Sequence, residues 1–418
     1  MQRRFRPPIG TVHVVFIEPL FPANQKQFVR GLHRAGARIS ALGERPKEAL
    51  DDDLRAWLLH YEQVPTVVDP GILVDRVGWI GRRFSVDRLE ATVESHVLPA
   101  AQAREALGIP GTSARTAWLC RDKPSMKEVL RQGGVPTAAS VGSGSPEEIH
   151  AFASETGYPL VVKPRSAAGA SGTHRVDTLE ELDARLAEAG VGHGGEVAVE
   201  EFVEGHEAFY DTITIGGQVA HEFISHYYPN VLEAMRSRWI SPQLVTTNRV
   251  ETAPGYQEVR AMGATVNELL DLQTSATHME WFIGARGLRF SEIGCRPPGV
   301  RTWDLYSAAN EIDLYHEWAM AVCFGRLAQK PSRRYAAGMV ALRPDRDGTI
   351  RGVEGAEEIQ RRFGEWILDA HLPPPGTPTQ PVEAGYLANA WVRMRHPDYD
   401  QLRSMLDTVG EVMQVRAG

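Results

Sequence analysis

Two glutamates, Glu280 and Glu292, flank a glycine turn in Thr277-His-Met-Glu-Trp-Phe-Ile-Gly-Ala-Arg-Gly-Leu-Arg-Phe-Ser-Glu-Ile-Gly294. The alternation around Gly284–Gly287 reads as a β-hairpin. A three-residue loop with Gly287 in the left-handed region would pair Gly284 with Leu288. Glu280 would then face Glu292 on one side of the sheet, with Cβ atoms ~5 Å apart. A two-residue loop of Ala285-Arg286 would put them on opposite faces. Like charges that close destabilise a sheet unless a cation neutralises them, and Mg²⁺ takes carboxylate and phosphate oxygens together. A polar outer face is the plainer alternative. Arg296 and Arg301 follow at once, around Pro297-Pro-Gly-Val300. Cations just past a carboxylate pair suit an anionic substrate, and they equally suit salt bridges.

A second cluster lies upstream. Lys163 ends the apolar run Pro159-Leu-Val-Val-Lys-Pro164, and Ser166-Ala-Ala-Gly-Ala-Ser-Gly-Thr-His174 follows it. Small residues let several backbone N–H groups approach an anion, and a lysine beside them can clamp phosphate. No Lys-Ser or Lys-Thr follows the glycines, so this is not the G-x-x-x-x-G-K-[ST] loop. An ordinary loop after a strand remains the other reading. In Val197-Ala-Val-Glu-Glu-Phe-Val-Glu-Gly-His-Glu207 an apolar strand breaks into paired carboxylates. A free backbone edge there can hydrogen-bond a purine, with Glu207 accepting from ribose hydroxyls; a solvated strand end explains it as well. Arg236 and Arg238 lie in an aromatic- and arginine-rich stretch, His226–Trp239, that lines either a substrate pocket or the surface. His221, His226 and His278 lack metal-ligand spacing and read as packed or surface histidines. Cys295 has no base assigned beside it, which disfavours a covalent thiol step.

These residues need elements to hold them. Thr11–Ile17, Arg38–Leu42 and Val64–Val68 read as strands. Helices carrying Phe28, Leu32 and Ala35, then Leu54, Trp57, Leu58 and Tyr61, separate them; this is βαβ rhythm. The first strand runs into Glu18-Pro-Leu-Phe-Pro22 with no glycine, so a dinucleotide site is disfavoured there. Further on come a helix at Lys123–Gln132, a strand at Tyr158–Lys163, a helix through Leu179, Leu182 and Leu186, and a strand at Val197–Glu201. Hairpins follow, then one core helix over Leu305–Phe324. A last helix over Asp398–Val409 is capped by Gly410, with a strand at Val412–Val415. The Pro-rich stretch Leu372–Pro381 is a loop.

Composition sets the class. The chain has 418 residues, enough for two to four domains at ~100–200 residues each. Lys and Arg number 45 against 53 Asp and Glu, a net charge of −8, which argues against a nucleic-acid-coating protein. Three dispersed cysteines do not make a disulfide framework. No apolar leader follows the basic N-terminus and no run suits a membrane span, so the expectation is a cytoplasmic protein.

In order and spacing, these features resemble the ATP-grasp superfamily. Arg121-Asp-Lys-Pro-Ser-Met-Lys-Glu-Val-Leu130 followed by Gly134-Val-Pro136 looks like the opening of its ATP-binding half. The resemblance implies α/β and α+β architecture: a Rossmann-like pre-ATP-grasp domain (1–112), a small lid lobe (113–205), a large lobe (206–330) and a C-terminal α+β module (331–418). It places ATP on Lys123, Lys163, Ser166, Gly169, Ser171, Gly172, the hinge Glu200, Glu201, Phe202 and Val203, and Glu207. It places Mg²⁺ (or Mn²⁺) on Glu280 and Glu292, catalysis on Lys163 and Arg296, and substrate on Arg236, Arg238, Arg296 and Arg301. The family pattern usually continues Glu-x-Asn, but here Gly294 stands in place of the asparagine, which weakens a second-metal assignment through residue 294 and leaves one or two metal ions open. Glu292-Ile-Gly-Cys-Arg296, Asp347–Val353 and Gly385–Ala390 are similar to the L-amino-acid (dipeptide) ligase branch. The implied activity is ATP-dependent joining of a small-molecule carboxylate to an amine, by a protein whose relatives are often homodimers. A biotin-carboxylase-like enzyme activating bicarbonate and a non-enzymatic nucleotide sensor are the alternatives.

Overall fold

The computed structural model describes residues 12–164 and 172–418. The N-terminal strands β1 (His13–Ile17), β2 (Arg38–Gly43), β3 (Leu58–Gln63) and β4 (Arg88–Glu90) form a parallel sheet in the order β3-β2-β1-β4. Central β1 is buried along its whole length, as expected of a parallel strand covered on both faces. The helix expected through Tyr61 ends sooner. It spans Asp52–Trp57, with the Asp51 carboxylate accepting from Leu54 N–H at 2.9 Å. Its apolar spacing suits a helix, but pairing with β2 claims the chain from Leu58, and Val64–Val68 is loop rather than strand.

A second sheet is antiparallel: β5 (Ser140–Ser143), β6 (Leu160–Pro164), β7 (His174–Val176) and β8 (Val197–Glu201), ordered β5-β8-β6-β7. Helices Pro146–Thr156 and Leu179–Glu188 bury Ile149, Leu182 and Leu186 against it.

The third sheet carries the site. Its upstream strands are β9 (His206–Ile215), β10 (Gln218–Tyr228), β11 (Gln243–Thr246), β12 (Ser275–Gly284) and β13 (Gly287–Gly294). Downstream come β14 (Ala336–Leu342), β15 (Ile350–Glu354), β16 (Ile367–His371), β17 (Ala390–His396) and β18 (Gln414–Ala417). Eight of these join in the order β13-β12-β9-β10-β11-β14-β17-β16, while β15 pairs with β18 separately. One sheet therefore runs across the expected boundary at 330.

Leu305–Phe324 is two helices, Thr302–Asn310 and Leu314–Phe324. Glu311 takes φ 56° and Asp313 caps the second helix, so the apolar period continues through a break. Phe28 packs on Trp303, Tyr315 and Trp318 at ring separations of 5.2, 4.9 and 5.2 Å, fastening the N-terminal sheet to this pair. Gly31 permits that approach, since a Cβ there would lie 2.3 Å from the Tyr315 carbonyl oxygen. The last helix spans Tyr399–Val412, capped by Asp398, and runs through Gly410 instead of ending there. Gly410 serves a close contact: a Cβ would meet Ser241 Cβ at 2.8 Å. Among the described residues no helix is long and apolar enough to cross a membrane.

Candidate active site

A cleft of about 1180 Å³ opens between the three sheets. Its acidic corner is the β12–β13 hairpin. The loop is Ala285-Arg286, two residues, with Gly284 opposite Gly287 and Gly287 at φ 77°. On that register alone the glutamates would diverge. Between Trp281↔Phe290 and Glu280↔Glu292, however, Ser291 is extra, and this β-bulge brings the two carboxylates back opposite each other. The expected pairing holds, by a bulge rather than by a three-residue loop.

The cationic side comes from two elements. Helix Lys123–Gln132 starts at Asp122, whose carboxylate accepts from Ser125 N–H at 3.1 Å, and Pro124 suits its first turn. Lys123 and Lys127 share a face four residues apart. Lys123 reaches Glu292 at 3.3 Å, and Lys127 reaches Glu200 at 2.7 Å. Lys163, near the end of β6, approaches the same Glu200 oxygen at 2.6 Å. Burial works against all three charges of this triad. It lowers Lys127 to about 8, whereas Glu200, Glu292 and Glu280 hold Lys163 above its ordinary value. The two lysines overcome burial at Glu200 and bring it down to about 2.

Glu200 thus has a different place from the one expected. Its side chain pairs with two lysines, and β8 is flanked on both sides. The N–H groups of Glu201 and Phe202 donate to the carbonyls of Ala139 (2.9 Å) and Pro159 (3.2 Å), so the hinge has no free edge there. Phe202 and Val203, beyond the strand, still line the cleft. Glu207 sits at the start of β9, where its carboxylate accepts from Val231 N–H at 2.7 Å. Burial, then the Glu280 and Glu292 charges, push it up to about 8.

Arg296 lines the cleft, with Nε donating to Glu94 at 2.8 Å and Nη1 to the Pro297 carbonyl at 3.0 Å. Burial opposes its charge, but Glu94 outweighs that and raises the guanidinium. Arg301 is at the rim, 2.6 Å from Asp304, and Arg236 donates to the Thr173 carbonyl at 3.3 Å. Arg238 turns elsewhere: it pairs with Asp347 at 2.5 Å and is not among the lining residues. Ser166, Gly169 and Ser171 lie outside the described residues; Gly172 takes φ 69°, and Thr173 lines the cleft.

Four contributors escaped the sequence reading. Lys127 carried a signal, its position four residues after Lys123. His278 also carried one, since alternation puts it on the face of Glu280; it is not merely a packing residue. It lies 2.7 Å from Asp211 and 3.5 Å from Glu280, and these acids raise it to about 9 against the effect of burial. Glu94 comes from a distant segment and carried no local signal, whereas Tyr386 lies in the Gly385–Ala390 segment without itself being singled out. Among the described residues no three His, Cys, Asp or Glu side chains form a metal cage by themselves. A magnesium ion carried by phosphates needs only one or two carboxylates, and the acid excess felt by Glu207 fits such a cation.

Residues 121–238 match the family "Phosphoribosylglycinamide synthetase, ATP-grasp (A) domain". The chain is 25% identical over 325 residues to an L-arginine-specific L-amino acid ligase of Bacillus subtilis, covering 76% of each. It is 23% identical over 285 residues to the alanine–anticapsin ligase of Bacillus subtilis, covering 62% of this chain and 58% of that protein. Its fold matches the L-amino acid ligase structure from Bacillus licheniformis with TM-score 0.76 at 17% identity, over 99% of this chain and 100% of that one. It also matches N5-carboxyaminoimidazole synthetase from Staphylococcus aureus, complexed with ADP, with TM-score 0.68 at 14% identity, over 97% and 98%. The chain has the ATP-grasp fold, with residues 121–238 matching an ATP-grasp domain. The similarity in sequence and in fold extends to L-amino acid ligases.

Proposed function

We propose that the protein is an ATP-dependent ligase that activates a carboxylate and couples it to an amine, with an amino acid as at least one substrate. A carboxylate is a poor acyl donor because oxide is a poor leaving group. Transfer of the ATP γ-phosphoryl to a carboxylate oxygen releases ADP and leaves an acyl phosphate. Amine attack on the acyl carbon then expels phosphate, and the nitrogen loses a proton as the amide forms.

The observation that carries this reading is one cleft holding lysines, an acid corner and a braced arginine in sequence. Lys123 and Lys163 hold the phosphates in line. Phe202 and Val203 receive the base, and Glu207 receives the ribose. Glu280 and Glu292 hold Mg²⁺ or Mn²⁺, which when bound supplies charge neutralisation between the phosphates. Arg296, kept in place by Glu94, orients the reacting carboxylate. Water has to be kept from the cleft meanwhile, because it would hydrolyse the acyl phosphate.

The test is ADP release from purified protein with Mg·ATP and mixed amino acids. Release that needs a carboxylate and an amine together, with a new amide mass, is the expected result. Turnover with bicarbonate alone would sink the reading.

A further inference from the structure

The cationic end of the cleft sets two ammonium groups on a single carboxylate oxygen. Lys127 Nζ lies 2.7 Å and Lys163 Nζ 2.6 Å from Glu200 Oε2. Oε1 of the same carboxylate has no hydrogen-bond partner among the described residues. One negative charge therefore faces two positive ones, and the lysines repel each other across it. After burial, the Lys163 charge lowers Lys127.

The two lysines are not equivalent. Lys127 is set within helix Lys123–Gln132, and its side chain is 1% exposed. Lys163 stands near the end of β6 with its side chain 11% exposed. Burial opposes the Lys163 charge, while Glu292 and Glu280 support it besides Glu200, so it faces the acidic corner as well. Of the pair, Lys163 is the one placed to turn toward a phosphate. To do so it has to give up Glu200, and a buried carboxylate left without a counter-ion is strongly destabilising. Lys163 can leave only if another cation stays behind. Were Lys127 absent, Glu200 and Lys163 would form a matched buried pair, which an arriving polyanion would have to break.

We propose that Lys127 is a positioning residue for ATP: it holds Glu200, so that Lys163 is released to the phosphates. The carboxylate keeps one ion pair throughout, and the positive charge left over in the cluster passes to the nucleotide. Lys127 itself makes no contact with ATP.

Lys163 is a partner of phosphate only on the ligase reading, on which this inference rests, so binding is measured apart from turnover. Mg·ATP is titrated calorimetrically into the full chain with no acyl donor present. Lys127→Met should weaken binding by ~10–100-fold, the worth of one charge-assisted contact. Adding Glu200→Gln to Lys127→Met removes the competing carboxylate and should restore binding close to the wild-type value, a non-additivity that a general packing defect would not produce. Lys127→Arg, which keeps the charge, should bind as the wild type does. Unchanged binding in Lys127→Met would overturn the proposal. So would a double variant no tighter than Lys127→Met, which would put Lys127 on the phosphates or in the framework. Wild-type affinity in Lys163→Met would remove the phosphate contact and the proposal with it. If the folded wild type binds no Mg·ATP, the ligase reading falls too. If the binding results are as expected but no amide forms with any acid and amine, the ligase reading fails and the role of Lys127 stands. Melting curves check folding, and Lys127→Gln replaces Lys127→Met should the latter unfold.

Discussion

Glu200 and Glu207 stand seven positions apart on consecutive strands, and burial alone would push both carboxyls up. They go opposite ways. Glu200 falls to about 2 because Lys127 and Lys163 stand at 2.7 and 2.6 Å. Glu207 rises to about 8 because burial is reinforced by the charges of Glu280 and Glu292, which the Val231 N–H and Lys163 do not offset. The first glutamate belongs to a closed, buried cluster in which one carboxylate faces two lysines, so the excess charge there is positive. The second belongs to an open corner that holds more acid than base until a cation and a polyanion arrive. Their linkage to pH is opposite as well. The depressed Glu200 contributes stability above its unfolded value near 4.5 that is lost as pH falls toward 2. The raised Glu207 favours folding at low pH and opposes it as pH climbs through 8. A net charge of −8 therefore hides a cleft with a cationic end and an acidic end.

The largest expected effect comes from opening the closed cluster. Glu200→Gln removes the carboxylate in contact with two buried ammonium groups, and breaking a buried pair in this way costs ~3–5 kcal/mol. The urea midpoint should drop accordingly, and adding Lys127→Met should recover part of the loss. A wild-type midpoint for Glu200→Gln would refute the idea that its charge matters. At the open corner the outcome reverses. Glu280→Gln and Glu292→Gln should cut turnover by ~10²–10³-fold, the several kcal/mol a metal contributes to charge stabilisation. Their thermal midpoints should fall less than that of Glu200→Gln, because each loses a longer and more exposed pairing, to His278 at 3.5 Å or Lys123 at 3.3 Å, and sheds repulsion from the neighbouring acids. Lost stability together with unchanged turnover would place these acids in the framework and not in the site.

How far this division could be read from the sequence depends on the range of the contacts. Helix Lys123–Gln132 and strand Val197–Glu201 fall where their periodicity puts them. The pairing of Glu280 with Glu292 was also foreseen, yet the bulge at Ser291 that produces it was not. A bulge depends on tertiary packing and leaves no reliable mark in composition. Lys127 and His278 were legible in principle, one by helical and the other by strand spacing. Glu94 was not: it meets Arg296 across 202 residues, and no local pattern encodes such a contact. The continuity of β11, β14 and β17 was hidden for the same reason. The break at Glu311 was missed because a non-glycine residue adopts the left-handed turn there.

A third buried pair sharpens the comparison by carrying no opposite charge at all. His206 Nε2 and His226 Nδ1 lie 2.9 Å apart, and His226 Nε2 lies 2.7 Å from the Tyr256 hydroxyl. Burial, then the proximity of His206 and Arg403, lowers His226 to about 3, so it is neutral in the fold. Its contribution is complete above the unfolded value near 6.5 and is lost as pH falls toward 3. By pH ~4.5 the loss should reach roughly 2–3 kcal/mol, at ~1.4 kcal/mol per unit. The check is the urea midpoint against pH for the wild type and His226→Gln. A shallower decline in the variant is expected, and parallel curves would exclude His226 as the cause.

The smallest effect marks the edge of the closed cluster. Glu201, one residue beyond Glu200, pairs with Arg286 of the hairpin loop, whose side chain is 59% exposed. Glu201 also accepts from Ala139 N–H at 3.2 Å, so it keeps a partner if the arginine is lost. Water screens this pair as it cannot screen Lys127 and Glu200, and exposed ion pairs contribute ~0–1 kcal/mol. Arg286→Ala should therefore lower the urea midpoint by an amount at or below that range. The difference from wild type should shrink in ~1 M salt, where the screening length is about 3 Å. A salt-insensitive loss of ~2 kcal/mol or more would mean that matched charge extends from Glu200 out to the hairpin rim. The boundary between closed cluster and open corner would then lie beyond Arg286, on the hairpin that carries Glu280 and Glu292.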